Sequence, residues 1–209
     1  VRGPTGTYTL PLPAGVPVSC FRRTGRAPEA AVLTCRLIDR PLRPMFPDGY
    51  RNEVHIVGTV MGADMENPYD VLALNAASAA LLLSGIPFDG PVGATRIAWS
   101  AAGEWIAHPT YEEAADSAFE MVVAGRINDD GDVAVMMVEA GGTAATWDVY
   151  EAGAPKVDEA VLAGGLEFSK QYIREVIELQ QELVALVGAP EQMSYTVRSE
   201  EHTSELQSQ

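Results

Sequence analysis

The segment from Val71 to Ser84 constrains this chain most, because it is almost wholly apolar or small and ends at Gly85. A helix built from it has no polar face, so it has to be buried within a layered domain. Asp70 is placed to act as its N-cap and Gly85 to end it. Upstream, Pro28 at a first helical position opens a helix that Pro41 should end or kink near Arg40. Val32, Leu33, Leu37 and Ile38 supply its apolar stripe, while Arg36 and Arg40 share another face, with Arg43 following at i+7.

Between these helices, Glu53 to Met61 alternates and is rich in β-branched residues, which predicts a largely buried strand. Further strands are expected at Gly93–Ser100, Glu104–His108, Glu120–Arg126 and Val133–Glu139, with Asn128-Asp-Asp-Gly131 as a hairpin turn. From Val157 to Val187 the pattern is helical and acidic, interrupted by Gly164-Gly165 and closed by Gly188-Ala-Pro190. The order helix, strand, helix, strands, helix describes an α/β or α+β domain with a helical extension.

The chain has 209 residues, 47% of them hydrophobic and 21% charged, a balance suited to a globular domain. Its longest apolar stretch, Ala76 to Leu83, is too short to span a bilayer. Cys20 and Cys35 lack metal-ligand spacing, so a reduced, cytoplasmic setting is expected. The net charge of −15 argues at first against a nucleic-acid partner. Its distribution argues otherwise: residues 22–51 hold seven arginines against three acids, whereas residues 52–197 carry 23 acids against five basic residues. A basic island on an acidic body is the footprint of a localised anion site, although a solvated arginine-rich helix face would look the same in composition.

Cys20-Phe21-Arg22-Arg23-Thr24-Gly25-Arg26 packs an aromatic ring and three arginines into seven residues. A ring can stack on any base, and guanidinium groups grip the flanking phosphates. Composition alone leaves open an ordinary exposed loop with Phe21 in the core.

The segment Pro17 to Arg26 resembles the FFRR loop of polynucleotide phosphorylases. Cys35-Arg-Leu-Ile-Asp-Arg-Pro-Leu-Arg-Pro44, Arg51-Asn-Glu-Val54, Asn75-Ala-Ala-Ser-Ala79, Ser84-Gly-Ile-Pro-Phe88, Gly90-Pro-Val-Gly93 and Met137-Val-Glu-Ala140 follow in that family's order. The resemblance covers about residues 15 to 190. It implies an α+β fold, ribonuclease PH-like with the β-α architecture of ribosomal protein S5 domain 2, followed by the start of an all-helical segment. It also implies a reversible phosphorolytic 3′-to-5′ exoribonuclease of mRNA degradation, dependent on Mg²⁺ and built as a homotrimeric ring that threads single-stranded RNA. Inorganic phosphate and nucleoside diphosphates are its small-molecule partners, RNA-degradation complexes its possible macromolecular ones, and no membrane is involved. In some relatives the enzyme is bifunctional with guanosine pentaphosphate synthetase. By the resemblance Phe21 stacks on a base, Arg22, Arg23 and Arg26 contact phosphates, and Arg36, Arg40 and Arg43 extend the basic track. The family's first phenylalanine is Cys20 here and its acidic residue is Thr24, which removes half of the aromatic pinch.

Phosphorolysis needs phosphate held beside the terminal phosphodiester and a proton donor for the leaving oxygen. In catalytic ribonuclease PH relatives a Gly-Gly-Thr-Arg-Thr cradle holds it. At the corresponding place this chain has Asp64-Met-Glu-Asn-Pro-Tyr-Asp70, whose carboxylates would repel phosphate. Asp64, Glu66 and Asp70 could instead be oxygen ligands for a metal, but an N-cap and a solvated loop explain them more simply. His55 in an apolar strand and His108 before a proline read as core or turn residues. The expectation is therefore a non-catalytic, RNA-guiding first core domain, with catalysis and Mg²⁺ ligands in a second one. The alternatives are a stand-alone ribonuclease PH-type exonuclease and a structural ring domain without RNA contact.

The expected organisation is an unassigned lead-in over 1–14, the core domain over 15–152 and the start of a helical linker over 153–190. Residues 198–209, Arg-Ser-Glu-Glu-His-Thr-Ser-Glu-Leu-Gln-Ser-Gln, read as a translated sequencing adapter and are set aside from fold reasoning.

Overall fold

The computed structural model describes residues 29–188 and 190–195. Helix α1 (Glu29–Leu42) opens the described chain and buries Ala31, Thr34, Leu37, Ile38 and Leu42. Its stripe is thus rotated from the expected one, since Val32 and Leu33 face outward. Pro41 sits in the last turn, where the missing N–H costs one ladder bond, and a 3₁₀ turn at Arg43–Met45 carries the chain out of the helix.

Over Glu53–Met61, where a strand is expected, no ladder forms with another described segment. Val54 and Ile56 lean on the core while His55, Val57 and Thr59 face out, so the alternation of a strand is present. The segment makes an isolated bridge at Thr59. His55 is accordingly exposed and not a core residue.

Helix α2 (Asp70–Leu82) follows and buries Val71, Leu74, Ala77, Ser78 and Leu81 against α1 and the sheet. Burial is one-sided, for Leu72 on its outer face is exposed. The capping position falls on Tyr69, which makes no side-chain cap. Asp70 has turned to other partners, described below.

Four antiparallel strands follow: β1 (Gly93–Trp99), β2 (Trp105–Ala107), β3 (Phe119–Ile127) and β4 (Val133–Gly142), in spatial order β2-β1-β3-β4. A short helix α3 (Tyr111–Ala115), held by a Thr110–Glu113 capping box, joins β2 to β3. The β3–β4 hairpin turns at Asn128–Gly131 as expected, with the Asn128 amide donating to Asp132 O at 2.8 Å and Gly131 at a φ of 78°. Opposite Ala124 and Gly125 the register slips by one residue at Met136. That bulge moves Met137 to the α1/α2 side while Val133 and Val135 stay on the other side.

After a short α4 (Thr146–Glu151), helix α5 (Glu159–Val187) lays Ile173 and Ile177 on Ile97, Met121 and Val123. Gly164-Gly165 does not interrupt it. A Cβ at Gly165 would stand 2.5 Å from the Trp105 ring, so the missing side chain is what lets helix and sheet meet. Asp158 caps α5 through the Val161 amide at 2.8 Å, and Gly188, at a φ of 96°, ends it. The architecture is α+β: α1 and α2 on one face of the sheet, α5 on the other.

β2 pairs with β1 only from Ile97 onward, leaving the start of β1 without a neighbouring strand on that side among the described residues. Side chains take the place of the strand. Asn75 accepts from the Ala94 amide at 2.8 Å and donates to Ala94 O at 3.0 Å. Ser78 accepts from the Val92 amide at 3.0 Å, and Gln180 of α5 donates to Val92 O at 2.9 Å. These bonds satisfy buried backbone groups that would otherwise be unpaired.

Candidate functional site

Of the residues expected to touch RNA, Phe21, Arg22, Arg23 and Arg26 lie outside the described residues. Arg36, Arg40 and Arg43 lie along the exposed side of α1 and the turn after it. Helical spacing brings Arg36 and Arg40 onto one face, and the 3₁₀ turn keeps Arg43 beside them.

Their partners differ. Arg40 donates to Glu139 of β4 at 3.2 Å, with both side chains at least half exposed. Arg43 is held by Asp39, one helical turn earlier, through Nε at 3.2 Å and through Nη2. For Arg36 no ion pair is formed among the described residues. Exposed pairs of this kind contribute about 0–1 kcal/mol, so a phosphate could take their place at little cost. Arg40 and Arg43 also line a shallow groove against Met136, Met137 and Val138 of β4.

The loop ahead of α2 is organised by Asp64. Its Oδ1 accepts from the backbone amides of Glu66 and Asn67, each at 2.9 Å, and its Oδ2 from the Asn67 side chain at 2.5 Å. These bonds, led by those from Asn67, hold the Asp64 carboxyl down at about 2. Those amides are thereby occupied by a carboxylate of the loop itself. Asp70 bonds the amide of Val71 with one oxygen and Arg96 of β1 with the other. Asp64 and Asp70 each have their own partners, and among the described residues no group of three or more His, Cys, Asp or Glu is placed to hold a metal ion.

Sequence reasoning missed what Asp70 does. Arg96 donates to Asp70 and, at 2.6 Å, to Glu120, while its Nε has no partner among the described residues. Burial works against the Arg96 charge, but the two carboxylates outweigh it and hold its pKa above the ordinary value. A cavity of about 560 Å³ opens over this cluster, lined also by Leu33, Tyr69 and Tyr111. Three charged residues 24 and 26 positions apart leave no local pattern that would reveal them. His108 sits at a turn with a φ of 52° and sets its ring edge-on to Tyr172.

A second feature lies beyond the arginine track. Phe46 and Tyr50 stack with ring centroids 6.0 Å apart and planes 14° from parallel, and Tyr195 meets Tyr50 edge-on at 5.1 Å. Arg43 and Arg51 also line the groove that contains them. Two rings four residues apart, between arginines in a Pro/Gly-rich loop, were the available signal.

The 3′ exoribonuclease family, domain 1, matches residues 7–87. Polyribonucleotide nucleotidyltransferase of Frankia alni is 51% identical over 193 residues, which is 92% of this chain and 26% of that protein. The same-named protein of Saccharopolyspora erythraea is 56% identical over 173 residues, 83% of this chain and 23% of that protein. The chain thus spans about a quarter of the curated relatives it matches. Among solved structures, rice (Oryza sativa) Rrp46 aligns with a TM-score of 0.59 over 77% of this chain and 68% of its own, at 14% identity, a likeness of fold alone. With the ordered motifs, the ribonuclease PH-like architecture and relatives more than half identical along most of its length, the chain belongs to the polyribonucleotide nucleotidyltransferase branch of the 3′ exoribonuclease family.

Proposed function

We propose that this chain is an RNA-guiding, non-catalytic core segment of a phosphorolytic 3′-to-5′ exoribonuclease. The complete enzyme splits RNA with inorganic phosphate, releases nucleoside diphosphates, and runs the reverse polymerisation. The observation that carries the reading is the contrast around α1. Arg36, Arg40 and Arg43 are exposed and weakly paired, whereas Asp64 occupies the amides of the loop where a phosphate cradle would stand. Arginines so placed can hold an RNA backbone, and a carboxylate-filled loop repels the phosphate that attacks it.

In this reading three chains close a ring around single-stranded RNA. Phe21 stacks on a base, and Arg22, Arg23 and Arg26 take phosphates ahead of the α1 track. The proton donor and the Mg²⁺ ligands belong to a part of the enzyme outside this chain, which works in the cytoplasm on mRNA. The test is RNA affinity against salt. The log–log slope should be about 0.7 per phosphate neutralised, so replacing Arg22 and Arg23 by Ala should flatten it by about 1.4. Phe21→Ala should weaken binding by about 1–3 kcal/mol and leave the slope alone, because stacking releases no counterions. RNA affinity indifferent to all three changes would overturn the reading of the loop.

A further inference from the structure

The groove between Arg43 and Glu53 joins the end of the arginine track to the stacked pair Phe46–Tyr50, and has a volume of about 520 Å³. Both rings are half-buried, and Phe46 also packs on Phe88 with centroids 5.6 Å apart. Tyr195, edge-on, holds Tyr50 from a distant part of the chain. The lining carries two arginines, Arg43 and Arg51, and two carboxylates, Asp48 and Glu53, with the Asn52 amide between them. Its formal charge is therefore zero.

That balance decides what the groove can take. A site without net charge does not concentrate a free phosphate, which would meet two carboxylates as well as two guanidinium groups. A nucleobase is neutral and planar, and it presents both donors and acceptors along its edge. Aromatic rings give its face a platform, and Asn52, Asp48 and Glu53 can answer its edge. The phosphates on either side of such a base then fall to Arg43 and Arg51. Arg43 bonds Asp39 through Nε and Nη2, which leaves Nη1 for a second acceptor.

We propose that this groove is a nucleotide-binding step on the RNA path. One base lies against the Phe46–Tyr50 pair and the adjoining phosphates rest on Arg43 and Arg51. The step deepens the RNA-guiding reading and rests on it. It adds a stacking station beyond the one assigned to Phe21, reached by way of Arg36 and Arg40.

The experiment is equilibrium binding of a fluorescent single-stranded oligo(A) to the 209-residue chain across a salt series, with four variants. Arg51→Ala, an exposed loop change, should flatten the log–log slope by about 0.7. Tyr50→Leu should weaken binding between about fivefold and a hundredfold at unchanged slope, and Tyr50→Phe should restore it, because the ring and not the hydroxyl stacks. Thermal melts of Tyr50→Leu and Tyr50→Phe show whether the fold survives. If Tyr50→Leu unfolds, the Arg51→Ala slope decides alone. The fourth variant, Arg36→Ala with Arg40→Ala, reports on the track itself. Normal binding by Arg51→Ala and Tyr50→Leu, with weakened binding by the Arg36/Arg40 pair, overturns the groove and leaves the RNA-guiding reading intact. Failure of the unaltered chain to bind oligo(A) overturns both.

Discussion

Asp64 shows how a single side chain can decide what a loop is able to bind. Its carboxylate is fully exposed, yet three donors of its own loop hold it at about 2. The folded value lies below the ordinary one, so the bonds stabilise the loop above about pH 4 and are lost as pH falls through about 2. The amide resonances of Glu66 and Asn67, followed by NMR, should titrate together near pH 2. A midpoint near 4 would show that the bonds do not persist in solution. Asp64→Ala should free those amides without creating a cradle, since Glu66 and Asp70 remain. Asn75 works in the opposite sense, closing an edge with both of its polar atoms. Asn75→Ala leaves the amide and carbonyl of Ala94 unpaired in the core and should cost about 1–3 kcal/mol, read from denaturant midpoints at constant m.

At the scale of elements, α5 and the sheet are fitted to each other through glycine. In an exposed helix, Gly→Ala gains about 0.5–1 kcal/mol. At Gly165 the added methyl would meet Trp105 at 2.5 Å and Met121 at 2.9 Å, and the Trp105 ring, already packed on Trp99, has little room to give. Gly165→Ala should therefore destabilise, by about 1–3 kcal/mol, while Gly164→Ala, which meets open space, should be neutral or stabilising. Melting temperatures of the two variants should move in opposite directions, and a common shift would remove the packing argument. The same logic reaches β1, where a Cβ at Gly93 would stand 2.7 Å from the carbonyl of Ile173.

For the whole molecule, the distribution of charge matters more than its sum. The chain carries −15, yet the outer side of α1 and its turn present Arg36, Arg40 and Arg43. Purified chain given oligo(A), phosphate and Mg²⁺ should release no ADP above a blank, because the loop that would hold phosphate is filled by its own carboxylate. Turnover abolished by Glu66→Ala together with Asp70→Ala would reverse that conclusion. Among the described residues no helix is long and apolar enough to cross a membrane.

Local pattern was enough for the elements whose own residues satisfy them. The hairpin at Asn128–Gly131, the four sheet strands, the stop at Gly188 and the course of α1 up to Pro41 all follow from turn chemistry, alternation and capping, which act over a few residues. The arginine track was legible for the same reason, because i and i+4 share a face whatever the surroundings. Tertiary structure decided the rest. Gly164-Gly165 reads as a break by propensity, yet Trp105, some 60 residues away, makes the absent side chain a requirement of helix–sheet contact. Asp70 reads as a cap, and Arg96, which it shares with Glu120, draws it into a half-buried charge cluster instead. Each of these outcomes was set by a partner distant in sequence, and the energy of such contacts exceeds the fraction of a kcal/mol by which local preferences differ.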